Sequence, residues 1–207
     1  MLEREKLKRL ETNFLMQYPK GFADQEMAKI LKKHRMEKMV SLAKGCFSEA
    51  ACSNVHVTAE NMIKVVSRSS MVSMFEKPKF RDFVRTMNEN EKAFLVNALC
   101  QMLHGKKQLG FEAMVDILQS GKLAKWSLVT IIPAYYYPTK EVFVKPTTAK
   151  DIVRYFDLSE MVYKPTPTWT FYQQYKTLIK NAKTMVDTSL SPSNAAFTGF
   201  LMMSIKS

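Results

Sequence analysis

Glycine is scarce, with six in 207 residues. An all-β fold built on many tight turns needs more, so the scarcity argues against a sandwich or barrel. Cysteine numbers three. An odd count in a chain this long argues against a disulfide framework and predicts reduced thiols. No apolar run approaches the roughly 20 residues that span a bilayer. The longest, Ala195 to Ile205, is interrupted by Thr198, Gly199 and Ser204. The opening residues, MLEREKLKRLE, are charged from the third position and lack the apolar core of a signal peptide. Together these absences predict a cytoplasmic protein with no membrane partner. Enzyme signatures are also missing. There is no phosphate-cradling glycine loop, no H-E-x-x-H and no G-x-S-x-G. No cofactor is expected, and the reading leans against an enzyme.

Acidic residues are in deficit. Lys and Arg total 31 against 19 Asp and Glu, a net charge of +12. Residues 1–45 hold 11 basic and 6 acidic groups, residues 46–105 hold 7 and 6, and residues 106–207 hold 13 and 7. A nearly neutral middle lies between two basic ends. Such a charge favours an acidic partner, either nucleic acid or an acidic protein.

Helical periodicity dominates what is present. Leu7, Leu10 and Phe14 share one face of a first helix, closed by Tyr18-Pro19-Lys20-Gly21. That amphipathic arm wants a cover, for which a second copy of the chain is the expected partner. Asp24 opens one long helix to Gly45. Thr58 is read as a cap and Pro78 as the first residue, N1, of a helix. Asn88 and Glu91 have the spacing of a capping box. They precede the cleanest apolar stripe in the chain, which Gly105 ends. Trp126 to Ile132 is ambiguous, because Val129, Thr130, Ile131 and Ile132 favour strands. Glu141 to Lys145 alternates like a strand. The expected fold is mainly α, a compact assembly of about eight to ten helices. At most one small β-hairpin or extended segment falls at 126–146. The organisation is a helical part over 1–132 and a smaller part over 133–207, joined by a Pro- and Tyr-rich connector and packed as one unit.

Several constellations carry possible chemistry. Cys52 and His56 are four apart, as are Cys100 and His104. On a helix, each pair would offer a thiolate and an imidazole to one zinc ion. The competing account is favoured: cysteine is often a small buried hydrophobe, and His104 suits a helix C-terminus. A helix-turn-helix would need a reader after Asp157, but Pro165 leaves it too short for a major groove. A second such motif would pivot on Gly121, before a segment too apolar to face DNA. Trp169, Tyr172 and Lys176 form a stripe at i, i+3 and i+7, read as core. Lys29, Lys32, Lys33, Arg35 and Lys38 make one helix basic, opposite an apolar side with Met36, Met39, Val40 and Ala43. Such a helix suits phosphates, though a solvated face is commoner. The 15 methionines fill a pliable core or line an adaptable partner groove.

The expected ligand site is Tyr135, Tyr136, Tyr137, Lys140 and Lys145, joined by Arg154 and Lys164. Pro133, Pro138 and Pro146 would hold this stretch extended. Rings beside cations suit single-stranded nucleic acid, where bases stack while phosphates meet charge. The expected function is therefore a basic helical binding protein that contacts nucleic acid. The alternative is a non-enzymatic interaction protein with a Met-rich helical surface.

Overall fold

The structure is a computed structural model that describes residues 3–206. The expected mainly helical class is what it shows, with no strand among the described residues. Helix α1 (Arg4–Gln17) buries Leu7, Leu10 and Phe14. Asp24 does cap the next helix, accepting from the Glu26 N–H at 3.2 Å. The single long helix expected after it is two. Arg35 takes the left-handed conformation, φ 45°, and divides α2 (Gln25–His34) from α3 (Met36–Cys46). No glycine marks this break, so periodicity ran through it.

A short 3₁₀ turn, Glu49–Ser53, leads into α4 (Val55–Arg68), capped by Asn54 rather than Thr58. The Thr58 hydroxyl instead donates to the Ala51 carbonyl. Helix α5 spans Glu76–Thr86, so Pro78 is its third residue and not its first. Helix α6 (Glu89–His104) opens with both bonds of the Asn88–Glu91 capping box, at 3.0 and 2.8 Å. Gly105 ends it. Helix α7 (Lys107–Ser120) returns along α6 in the most extensive helix pairing of the fold.

Helix α8 (Trp126–Tyr136) resolves the ambiguous segment. Every residue from Trp126 to Tyr135 is buried. β-Branched side chains cost little helical stability once packing surrounds them on all sides. Helices α3, α4, α6 and α7 supply that packing. The tyrosine run is therefore the end of α8, with Pro133 inside the helix, and not an extended segment.

No hairpin forms after it, because the backbone of 138–145 finds other partners. The Val144 N–H donates to Thr130 Oγ1 at 3.0 Å, and the Pro138 and Glu141 carbonyls accept from Asn194 at 2.8 and 2.9 Å. Val142, Phe143 and Val144 are all buried, which removes the alternation.

Helix α9 (Pro146–Tyr155), α10 (Trp169–Lys183) and α11 (Asn194–Lys206) complete the chain. The expected part boundary at 132/133 falls inside α8. Helix α11 lies against α1 and α9, with the Phe14 and Phe200 rings edge to face at 5.2 Å. The apolar face of α1 is thus covered within the chain. No helix of the described residues is long and apolar enough to cross a membrane.

Candidate functional site

Cys52 and Cys100 are joined in a disulfide, their Cα atoms 6.1 Å apart, and Cys46 is the free thiol. This corrects the expectation of reduced thiols. Three cysteines accommodate one bridge and one thiol, so the odd count excluded less than it promised. Both sulfurs are consumed, which removes the thiolates from the candidate zinc set. His104 Nε2 lies 2.8 Å from the Phe47 carbonyl, and His56 is exposed. No group of three or more His, Cys, Asp or Glu among the described residues is placed to hold a metal.

The helix-turn-helix candidates lack a reader. After α9 the chain turns at Asp157, φ 52°, and 158–168 form no helix. Beyond Gly121 the following helix is the buried α8.

The structure divides the seven expected ligand residues among separate places. Tyr135 is fully buried, its hydroxyl 2.8 Å from Ser69 Oγ, so it cannot stack on a base. Tyr136 and Tyr137 meet edge to face at 4.7 Å, and Tyr136 also abuts His104. Tyr137 donates to the Leu103 carbonyl, and Lys107 and Lys140 lie 5.5 and 5.7 Å from its ring centroid. Tyr136 and Tyr137, both half-buried, and the exposed Lys140 form one cluster at the end of α6. Lys145 lies elsewhere, its ammonium 3.7 Å from Met202 Sδ. Arg154 is paired with Asp151 on α9. Lys164 contributes its carbonyl to the Trp126 indole N–H at 2.8 Å, and its side chain is exposed. Trp169 and Tyr172 are packed with Phe111, as expected of core.

A buried ion cluster was invisible in the sequence. Glu141 is 3% exposed and accepts from Lys107 at 2.6 Å, Lys176 at 2.8 Å and the Tyr172 hydroxyl at 2.8 Å. Burial alone would raise its pKa, but the hydrogen bonds from the two ammoniums prevail and hold it below the usual carboxylate value. The adjoining void is about 10 Å³, too small for a substrate. With every oxygen satisfied and no room beside it, this cluster ties α7, the 138–145 segment and α10 together rather than doing chemistry.

The open space is elsewhere. A groove of about 1240 Å³ runs between α2–α3 on one side and the 138–148 segment with α11 on the other. Its walls carry Met27, Met36, Met71, Met202 and Met203. Lys32, Arg35, Lys38 and Lys145 stand on it with a single acidic residue, Glu37. The imidazole of His34 has Nδ1 2.9 Å from Ser70 Oγ, and burial, with the charges of Lys33 and Lys145, lowers its pKa. Two residues of the wall, Tyr175 and Thr148, keep their hydroxyls closed off from solvent with no hydrogen-bond partner. Burial pushes the Tyr175 phenol far up, so it stays a neutral donor.

Lys145 and the basic helix were legible as residue types. Their convergence was not, because it needs α2 and α11 to face one groove. The one available signal was the count of methionines. Comparison with protein-family models, with characterised proteins and with solved structures gives no match.

Proposed function

We propose that this chain is a non-enzymatic binding protein whose site is the groove between α2–α3 and α11. Its ligand has an apolar body and anionic groups. The observation that carries this reading is one concavity that is methionine-walled and basic-rimmed. Methionine side chains are unbranched and polarizable, so they shape themselves to a ligand at small cost. Four cations against one carboxylate favour a negative ligand.

The test is titration with anilinonaphthalene sulfonate, an apolar dye carrying one anion. We expect saturable fluorescence enhancement that falls with salt. It should disappear in Gly199→Trp, whose indole would project into the groove. Enhancement unchanged in that variant, or absent from the native protein, refutes the reading.

A second reading has its own support. Lys29, Lys33 and Lys44 are exposed on α2 and α3 beside the basic rim, as a phosphate-facing surface requires. Under this reading the protein contacts nucleic acid through charge, without the tyrosines. A mobility shift with single-stranded DNA and RNA at low salt tests it. Retention of the free band throughout would eliminate it.

A further inference from the structure

Two helices turn matching faces toward one gap and leave it unfilled. On α2, Met27, Ile30, Leu31 and His34 all line the groove. Their spacing is i, i+3, i+4 and i+7, a complete helical stripe of about two turns, or ~10 Å. The partner stripe is on α11: Ala195, Ala196, Gly199, Met202 and Met203, at i, i+1, i+4, i+7 and i+8. A stripe of this kind normally packs on another helix. These two do not pack on each other, since the main neighbour of α2 is the short 3₁₀ turn Gly21–Ala23. Ile30 is 40% exposed as a result.

The middle of the α11 stripe is nearly bare backbone. A Cβ built on Gly199 would meet only the Phe22 ring, at 4.0 Å. Small residues let a second helix approach to the 8–10 Å of ordinary helix packing. The void is also larger than the 300–1,000 Å³ typical of small-ligand sites, and it is open along one side.

On these grounds we infer that the groove receives an acidic amphipathic α-helix from a partner protein, laid between α2 and α11. This rests on the binding reading given above and names its ligand. The apolar face of the helix would enter among Ile30, Leu31 and Met202. Its carboxylates would meet Lys32, Lys38 and Lys145 on the rim, the charge complementarity that selects an acidic rather than a basic partner.

The probe is a synthetic peptide of roughly 16 residues, a length at which an isolated helix is marginal. It carries Leu at i, i+3, i+4 and i+7 and Glu on the opposite face, with a fluorescent label. We expect anisotropy to report saturable binding and circular dichroism to report a gain of helix. Lys32→Glu with Lys38→Glu, two exposed changes that leave the fold intact, should weaken binding by about tenfold or more. Gly199→Trp should abolish it, while thermal melting confirms that the variant is folded. A control peptide with Lys in place of Glu should not bind.

Dye binding without peptide binding overturns the helix and leaves the groove reading standing. So does saturable binding of dodecanoate without binding of the peptide. Peptide binding that survives Gly199→Trp overturns the location. Failure of both dye and peptide overturns the helix and the groove together.

Discussion

Gly110 on α7 and Gly199 on α11 are both helical glycines, and the structure uses them in opposite ways. A Cβ on Gly110 would lie 2.5 Å from the Met102 backbone nitrogen and 2.6 Å from the Ala98 carbonyl. Helices α6 and α7 touch backbone to backbone there, and nothing else fits. A Cβ on Gly199 meets one ring atom at ordinary contact distance. The first glycine closes a helix crossing, and the second leaves one open. The α4–α8 side of the molecule is finished, with α8 buried and a disulfide fixing the turn before α4 to α6. The α2–α11 side presents two helix faces with space between them. A stable body thus carries an open groove on one side.

The largest perturbation of the finished side should come from the disulfide. It joins residues 48 apart, and loop-closure entropy for that separation is about 4 kcal/mol. Replacing Cys52 and Cys100 together with Ala should lower unfolding free energy by up to about that amount, read as a shift in the urea midpoint. Dye binding in the groove should survive, since neither cysteine lines it. Loss of dye binding in a variant still folded would show that the two sides are coupled.

Glu141 joins the sides and should give the next effect. Glu141→Gln leaves two ammoniums without their anion. Breaking a buried pair costs about 3–5 kcal/mol, and the partly exposed Lys107 and Lys176 can regain water, so about 3 kcal/mol is expected. The sign of the pH dependence follows from the lowered pKa. The stabilisation is complete above the ordinary value of 4.5 and is lost as pH falls through the depressed folded value. Urea titrations from neutral pH into acid should show wild type and variant converging. Parallel curves would remove Glu141 from the account.

The two glycines give the smallest and sharpest contrast. Gly110→Ala should destabilise by about 1–3 kcal/mol through overpacking. Gly199→Ala should stabilise by about 0.5–1 kcal/mol, because alanine loses less backbone entropy in a helix. Thermal melting reads both. Equal signs would mean that the crossing and the groove do not differ as described.

What could be read beforehand follows from the range of each interaction. Asn88 and Glu91 interact across three residues, so the α6 start was legible. Leu7, Leu10 and Phe14 were legible as a buried stripe, but not what buries them. Trp126 to Ile132 has strand-forming composition and became a helix because four others enclose it, a tertiary outcome with no local trace. The break at Arg35 has no glycine or proline to announce it. For the site, the basic run of α2 and the surplus of methionine were visible as composition. Their meeting depends on α2 and α11 lying side by side, more than 150 residues apart, which periodicity alone does not reveal. The separation of Tyr135 from Tyr136 and Tyr137 was hidden for the same reason: its hydroxyl meets Ser69, 66 residues earlier in the chain.

The pairing of α1 with α11 sets a schedule for the chain as it is made. The buried face of α1 has its cover on the last helix, and the Glu11 carboxylate accepts from the Asp187 N–H across 176 residues. At roughly 5–20 residues per second, a ribosome needs on the order of ten to thirty seconds to cross that interval. Throughout it, Leu7, Leu10 and Phe14 have been synthesised but their lid has not. The charged face of α1, with Arg4, Lys8 and Arg9 exposed on it, keeps that waiting segment in water until α11 emerges to claim it.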